Sequence, residues 1–241
     1  MVVDEVPGTT RDTIDTVLQY KGGRVTLIDT AGIRRRGRID QGIERYSFQR
    51  TADAIERADI ALLVVDAVEG ITAQDIHILG YIHKAFKGAV LLVNKWDLVE
   101  TGDTSLWMEV VKRKTRFMPY IETHFISAKT GRGVDKILPL ARRIYEERIR
   151  RLDQDLLDSI VRDAEAAKQS PKQGRRRLKV YKAVQTAINP PTFAFSVNDA
   201  KLVHFSYQRF LENKMRQYCG FKGTPLHLLF KSKADRKAKG K

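Results

Sequence analysis

Four short apolar runs recur along the first 147 residues, and longer stretches with helical spacing separate them. The runs are almost continuously apolar and rich in β-branched residues, which is typical of strands covered on both faces. They are VTLID (25–29), IALLVVDA (60–67), AVLLVNKWD (89–97) and HFISA (124–128), and the helical stretches are 44–58, 72–86, 105–117 and 133–151. The alternation predicts an α/β fold with a parallel sheet wound on both sides, in which ligands bind beyond the carboxyl ends of the strands.

The pattern changes after residue 150 and predicts a smaller α+β domain. A helix is predicted at 152–168, and its apolar positions share one face. They are Leu152, Leu156, Leu157, Ile160 and Val161. After a loop at 170–174, the predicted elements are strands at 175–187 and 192–198, a helix at 206–221 and a strand at 224–231. Leu178, Val180 and Ala183 are expected to point inward from the first of these strands.

Charge separates the same two parts of the chain. Residues 1–147 carry 22 basic and 21 acidic side chains, whereas residues 148–241 carry 22 basic and 8 acidic ones, a net +14 of the total +15. A small domain with this excess is expected to meet a polyanion. We therefore predict domains at 1–150 and 151–231, followed by a basic tail at 232–241.

Several functional classes are disfavoured by composition. The longest apolar run, at 60–65, falls far short of the roughly 20 residues that cross a bilayer, and the first residues are acidic rather than typical of a secretion signal. The single cysteine, Cys219, fits a reducing compartment and a place in the core. The five histidines lack the spacing of a zinc site. We expect a cytoplasmic protein without a membrane role.

Four polar motifs stand beside the predicted strands, in the order PGTTRD (7–12), DTAG (29–32), NKWD (94–97) and SAK (127–129). Each motif alone is a weak signal, but the four in this order resemble the guanine-nucleotide-binding fold. The resemblance implies binding of GTP or GDP with Mg²⁺.

The first two motifs are assigned to the phosphates. Thr10 can offer its hydroxyl to Mg²⁺ and its amide to the terminal phosphate, and Asp29 can hold the same ion through water. Gly32 lets its N–H approach the γ-phosphate without a side chain in the way. We predict Thr10 and Asp29 as metal residues, and Thr10 and Gly32 as catalytic residues.

The last two motifs are assigned to the base. Asp97 can accept two N–H bonds from guanine and would be left unpaired by adenine, and Asn94 adds to this selectivity. The stem of Lys95 can lie along the base, and the resemblance implies that the Ala128 amide meets the guanine carbonyl. Ser127 and Lys129 complete the predicted nucleotide site.

One expected motif is absent, because no glycine begins a GxxxxGK[ST] loop. In the fold that this region resembles, that loop follows the first strand, and both would precede Met1. Without the loop the phosphates lose their backbone cradle and lysine. We expect a sheet truncated at its amino terminus, in a chain that by itself binds GTP weakly or not at all.

A second departure is Ile33, which stands where Ras-like enzymes carry a glutamine that orients water. This is similar to translation-related GTPases in which K⁺ assists hydrolysis. The basic segment RRRGRID (34–40) that follows fits either a solvated loop or a contact to RNA or a neighbouring domain.

The second part of the chain carries GRRRLKVYKA, INPPTF, YQRFLENKMR and KGTPL. With the nucleotide motifs, these segments resemble the Der (EngA) family of ribosome-assembly GTPases. The resemblance implies two tandem GTPase domains and a KH-like domain, of which the whole first GTPase domain is missing here. It also implies a role in assembly of the large (50S) ribosomal subunit, with its precursor and rRNA as partners.

RNA contact is assigned to the basic residues around the first strand of the second domain and in the tail. They are Lys172, Arg175, Arg176, Arg177, Lys179, Lys182, Lys233, Arg236, Lys237 and Lys239. Gly220-Phe221-Lys222-Gly223 matches the letters of the GxxG loop of RNA-binding KH domains but lies between a helix and the last strand. We interpret Gly220 as a helix stop and Gly223 as a turn residue.

Two functional hypotheses follow. In the first, the intact protein hydrolyses GTP, and the nucleotide state moves the KH-like domain on the ribosomal precursor. In the second, the chain is a non-catalytic rRNA-binding module whose nucleotide domain serves as a scaffold.

Overall fold

The computed structural model describes residues 15–28, 41–100, 102–167, 172–173 and 176–232. These residues belong to two compact units, one ending at Asp59 and the other beginning at Ile60. The domain boundary that we predict at residue 150 falls inside the second unit. Within the described ranges, every helix is too short or too polar to cross a membrane.

The first unit contains a β-hairpin and a helix. β1 (Asp15–Tyr20) and β2 (Gly23–Ile28) pair antiparallel, and α1 spans Gln41–Arg57. The two residues between the strands, Lys21 and Gly22, both have positive φ angles, of 46° and 75°. Such a turn matches the twist of the flanking strands and sets their register. An ion pair joins Arg57 at the end of α1 to Asp15 in β1.

The second unit begins with a parallel three-stranded sheet. β3 (Ile60–Asp66), β4 (Gly88–Asn94) and β5 (Glu122–Phe125) lie in that order, with β4 in the middle. On one face, Leu91 and Val93 of β4 pack in one apolar cluster, and on the other, Val90 and Leu92 pack in a second. The sheet is therefore covered on both faces, as the continuous apolar runs predict.

Three helices flank this sheet: α2 (Ala73–Lys84), α3 (Thr104–Lys114) and α4 (Ile137–Ile149). The first begins at a capping box in which Thr72 and Asp75 each accept from the other's backbone N–H. The second begins at Asp103, whose carboxylate accepts from the Ser105 N–H at 2.8 Å. Short polar side chains therefore decide where these helices start.

The predicted strand at 89–97 is too long. β4 ends at Asn94 because Lys95 adopts a left-handed conformation with φ 62°, and residues 96–98 form a 3₁₀ turn. The predicted strand at 175–187 is also wrong in part, since it is divided into β7 (Arg176–Arg177) and β8 (Val180–Ile188). The sequence pattern does not mark either break, so only the backbone conformation shows where these strands end.

The remaining elements form a second sheet with two helices. The order is α5 (Gln154–Ala166), β6 (Lys172–Gln173), β7, β8, β9 (Pro191–Val197), α6 (Phe205–Cys219) and β10 (His227–Ser232). β9 lies between β8, with which it pairs antiparallel, and β10, with which it pairs parallel. β6 and β7 form a separate small hairpin.

One apolar core lies between this sheet and its helices. It contains Leu157, Ile160 and Val161 of α5, and Leu152 and Leu156 pack at its margin. Leu178, Val180 and Ala183 are buried in it, which confirms the inward positions that the alternation predicts. Cys219 is also a core residue, and burial raises the pKa of its thiol.

A buried arginine joins the two sheets of the second unit. Arg148, near the end of α4, is only 1% exposed. Its Nε and Nη2 donate to Asn189 Oδ1 at 3.1 and 2.6 Å, and its Nη1 donates to the Phe86 carbonyl and to Thr224 Oγ1, each at 3.0 Å. A buried guanidinium is costly unless its donors are satisfied, so these fixed acceptors favour one arrangement of the segments.

Gly223 completes this joint through its backbone. Its carbonyl accepts from the Ala89 N–H and its N–H donates to the Tyr120 carbonyl, both at 2.8 Å. Gly223 has φ +69°, and a Cβ atom at this position would lie 2.4 Å from Cγ1 of Ile144. Only glycine satisfies both the conformation and the available space.

We expect Gly223→Ala to destabilise the protein by about 2–4 kcal/mol, through backbone strain and overpacking. A double-mutant cycle with Ile144→Ala separates the two causes, because it removes the atoms that the new methyl group meets. The cost of Gly223→Ala should fall by roughly 1 kcal/mol or more in the Ile144→Ala background, as measured by urea unfolding. An equal cost in both backgrounds would contradict the close packing described here.

Candidate functional site

The base-binding motifs meet at one edge of the β3-β4-β5 sheet. Asp66 and Asn94 are opposite each other at the carboxyl ends of β3 and β4, and Val93 pairs with Phe125 at the end of β5. The NKWD and SAK motifs follow these strand ends directly. The structure therefore brings together the base-contacting residues that the sequence predicts.

Asn94 links the three strand ends. Its Oδ1 accepts from the Ala128 N–H at 2.9 Å, and its carbonyl accepts from the Ala67 N–H at 2.8 Å. The amide that we expect to meet the guanine carbonyl is thus bonded to another predicted site residue. A bound base would compete with Asn94 for the Ala128 N–H.

Lys95 is held by an acidic residue that the sequence analysis did not select. Its Nζ lies 2.6 Å from Asp66 Oδ2. Burial raises the pKa of Asp66, but the hydrogen bond and charge of Lys95, together with backbone N–H groups, outweigh it and lower that pKa. The signal for Asp66 was its place at the end of an apolar strand beside Asn94 in the next strand.

Asp97 presents an ionised carboxylate at the surface. A hydrogen bond with the buried Ser127 side chain holds the pKa of Asp97 below its ordinary value, and the charges of Lys129 and Lys95 contribute to this shift. The Ser127 Oγ also accepts from the Thr130 N–H at 3.1 Å. Ser127 therefore connects the SAK turn to the residue predicted to select guanine, while Lys129 and Ala128 are exposed beside it.

Trp96 anchors the loop between these polar residues. Its ring is buried, with its centroid 4.3 Å from that of Phe125 and 6.5 Å from that of Trp107. The backbone N–H of Trp96 donates to the Ile126 carbonyl at 3.1 Å. With the indole inside, Lys95 and Asp97 on either side of it are directed toward solvent.

This arrangement can discriminate between purine bases. Guanine offers two adjacent N–H donors to a carboxylate, and a base without both donors would leave Asp97 desolvated and unpaired. The hydrogen bonds of Asn94 and Ser127 hold the two loops together before any base is bound, which reduces the cost of ordering them. The described residues thus fit the base of a guanine nucleotide.

The phosphate-binding predictions lie outside the described residues. These are Thr10, Asp29 and Gly32, together with Ile33 and the basic segment 34–40. They stay predictions. Among the described residues, no group of three or more His, Cys, Asp and Glu side chains is placed to hold a metal ion.

β3 has one partner strand among the described residues, β4, so its other edge is not paired within that sheet. Val64 on β3 is 53% exposed, although it lies in the middle of the run IALLVVD. An apolar strand with one unpaired edge and a half-exposed valine is unusual in a parallel sheet.

The predicted RNA-binding residues fall partly within the described ranges. Arg176, Arg177, Lys179 and Lys182 are exposed on β7, on β8 and between them, and we call these four residues the basic ribbon. Lys172 lies in β6, where only the backbone is described. The other predicted RNA residues, Arg175, Lys233, Arg236, Lys237 and Lys239, lie outside the described residues.

The GxxG look-alike at 220–223 has a structural role. Gly220 ends α6 with φ 81°, and Phe221 is completely buried. Gly223 is bonded to Ala89 and Tyr120 in the joint described above. Gly220 and Gly223 therefore act as we predict. The sequence pattern gave no indication that Arg148, beside Gly223, would be buried.

Two family profiles match separate parts of the chain. A family profile described as a 50S ribosome-binding GTPase matches residues 1–95. A second, described as the C-terminal KH-domain-like region of EngA bacterial GTPase enzymes, matches residues 151–231.

Individual relatives extend over almost the whole chain. GTPase Der of Symbiobacterium thermophilum is 44% identical over 239 residues, covering 98% of this chain and 51% of that protein. GTPase Der of Chloroflexus aggregans is 47% identical over 237 residues, covering 96% of this chain and 52% of that protein. A structure of Era with MgGDPNP and part of 16S ribosomal RNA aligns over 99% of this chain and 87% of its own. Its TM-score is 0.51 at 19% identity, which shows similarity of fold alone.

The chain spans about half the length of the curated relatives that it matches. The alignments cover nearly the whole chain at 44% and 47% identity, and both family profiles name the same kind of GTPase. The chain belongs to the GTPase Der (EngA) family.

Proposed function

We propose that this chain is part of a cytoplasmic GTPase that acts in assembly of the large ribosomal subunit and binds its rRNA. The observation that carries the nucleotide part is the assembled base site, in which Asn94 bonds Ala128 and Asp97 bonds Ser127. Family membership supports the ribosomal part, since one matching profile is described as a 50S ribosome-binding GTPase.

In the proposed mechanism the described residues bind and orient the guanine. Asp97 accepts the two N–H groups of the base, and Asp66 restrains Lys95 so that its stem borders the base plane. When bound, Mg²⁺ would neutralise charge on the phosphates of GTP, and Thr10 and Asp29 would hold it. Gly32 would offer its N–H to the γ-phosphate, and assistance by K⁺ belongs to the same proposal.

The proposal assigns the phosphate loop to residues that are not in this chain. One observation supports this: the sequence contains no GxxxxGK[ST]. Backbone N–H groups of such a loop, at the N-terminus of a helix, are the main contacts to the phosphates in sites of this kind. The isolated chain would therefore recognise the base without holding the nucleotide firmly.

The contacts around Arg148 restrict how the nucleotide state can move the KH-like domain. Gly223 contacts Ala89 at the amino end of β4, whereas Asn94 lies at its carboxyl end. The buried guanidinium and the close Gly223 packing disfavour a hinge at this point. We therefore propose that residues 60–232 respond as one body, so that the nucleotide state changes how this body meets the ribosomal precursor.

A second candidate function is a non-catalytic rRNA-binding module. The exposure of the basic ribbon favours it, because phosphate contacts by Arg and Lys need no nucleotide. This version predicts RNA affinity that is indifferent to GTP or GDP. A change in RNA affinity when GDP replaces GTP would favour the GTPase proposal instead.

We expect Asp97→Asn to change the base preference from guanine to xanthine. Xanthine carries a carbonyl where guanine carries its exocyclic amine, and the asparagine amide can donate to that carbonyl. The ratio of GDP to XDP affinity should fall by roughly 100-fold or more. The ratio is measured by competition, or by saturation-transfer NMR if binding is weak. Glu100→Gln, an exposed carboxylate three residues away, is the control and should leave the ratio unchanged. An unaltered ratio for Asp97→Asn would refute the base site.

We expect the purified 241-residue chain to bind fluorescent GDP with an affinity of roughly millimolar or weaker, because its described residues contact the base alone. Titration in the presence of Mg²⁺ measures this directly. Nanomolar binding would show that the chain supplies its own phosphate site and would overturn this part of the proposal.

We expect the double variant Arg177→Ala/Lys179→Ala to reduce RNA affinity and its dependence on salt. Each lost phosphate contact lowers the slope of log K against log salt by about 0.7–0.9, so the double variant should lower it by roughly 1.5. The control is Lys112→Ala/Arg113→Ala, an equal change of charge on the exposed side of α3. Equal slopes for the two variants would show that the basic ribbon is not the RNA surface.

A further inference from the structure

An exposed aromatic side chain lies within the basic ribbon. Tyr181, in β8, is 40% exposed, and Lys179 Nζ lies 5.6 Å from the centroid of its ring. Lys182 follows it directly and is exposed as well. The phosphate contacts proposed above account for the cations but not for this ring.

A β-bulge at this ring places two consecutive side chains on the outer surface. Val180 pairs with Val197 and Lys182 pairs with Ser196, so the register shifts at Tyr181. In a regular strand, one of two consecutive side chains would turn toward the core. Here Tyr181 and Lys182 are both outside, while Val180 and Ala183 on either side of them are buried. Bulges commonly redirect a side chain in this way at functional sites.

The segment that carries the cations is held firmly in place. Asn198 donates its N–H to the Lys179 carbonyl at 3.1 Å and accepts from the Lys179 N–H through Oδ1 at 2.9 Å. Its Nδ2 donates to the Arg177 carbonyl at 2.8 Å. Between these two basic residues, Leu178 is buried in the core. Arg177 and Lys179 therefore leave the surface in fixed directions on either side of one anchor.

The acidic neighbours leave this surface basic. Asp199 Oδ2 lies 3.9 Å from Arg176 Nη1, so this end of the basic ribbon is partly neutralised. Glu165 Oε1 accepts from the Val180 backbone N–H at 3.0 Å. The cations nearest to Tyr181 are thus those of Lys179 and Lys182.

We propose that Tyr181 is a stacking platform for an unpaired RNA base whose neighbouring phosphates contact Lys179, Lys182 and Arg177. This inference rests on the proposed RNA-binding function and names the part of the RNA that the surface takes. An aromatic ring among cations suits a single strand, because every unpaired base offers a face for stacking. In a duplex those faces are covered by neighbouring base pairs, so the ring would contribute nothing.

The test compares two RNA probes of equal length, one single-stranded and one a blunt duplex, on the purified chain. Tyr181→Ala should weaken single-strand binding by about 5- to 100-fold and leave duplex binding within about twofold. Tyr181→Phe keeps a ring and should retain the single-strand affinity. Tyr145→Ala removes an equally exposed tyrosine of α4 and serves as the matched control.

A direct signal comes from 2-aminopurine placed in the single-stranded probe. Its fluorescence should be quenched by the native chain and by Tyr181→Phe, and the quenching should be lost in Tyr181→Ala. Equal losses with both probes, or no loss with either, would overturn the stacking role while leaving RNA binding intact. If the native chain binds neither probe, the proposed RNA-binding function itself fails.

Discussion

Six consecutive residues of β4, Gly88 to Val93, are buried, and strands pair with β4 on both sides. Alternate side chains enter two different apolar clusters, so neither face of this strand can move independently of the helices that cover it. Asn94 is at its carboxyl end, and Ala89, which bonds Gly223, is near its amino end. The base site and the joint to the KH-like domain are thus attached to the same rigid element.

This placement separates the proposed site for the base from the surface proposed for RNA. A seven-residue strand is about 20 Å long, so no side chain at one end of β4 reaches the other. Any influence of the nucleotide on the KH-like domain would therefore require the packed elements between them to move together. The four hydrogen bonds that Arg148 donates favour such a movement over a hinge, because breaking them would leave a buried charge without these partners.

In the KH-like domain, a segment with the sequence of an RNA-binding loop has a structural role instead. Gly220-Phe221-Lys222-Gly223 has the spacing of an RNA-clamping loop, but Phe221 is a core residue and Gly223 packs against Ile144. The basic ribbon lies instead on β7, on β8 and between them. The surface that we propose for RNA lies in this domain where the regular alternation of a strand is interrupted.

The sequence alone was sufficient for the features that depend on local pattern. Continuous apolarity predicted the parallel strands, and alternation predicted the inward positions of residues 178–183. Polar residues at strand ends predicted that the candidate base-binding residues lie together, because such residues meet at one edge of the sheet. The tertiary structure decided the features that depend on contacts between distant segments. These are the ion pair of Asp66 with Lys95, the burial of Arg148 among three other segments, and the bulge that leaves both Tyr181 and Lys182 exposed. An arginine near the end of a helix has an ordinary surface pattern, and regular alternation would turn either Tyr181 or Lys182 inward. Only the packing and pairing of remote residues decide which of these side chains are buried and which are exposed.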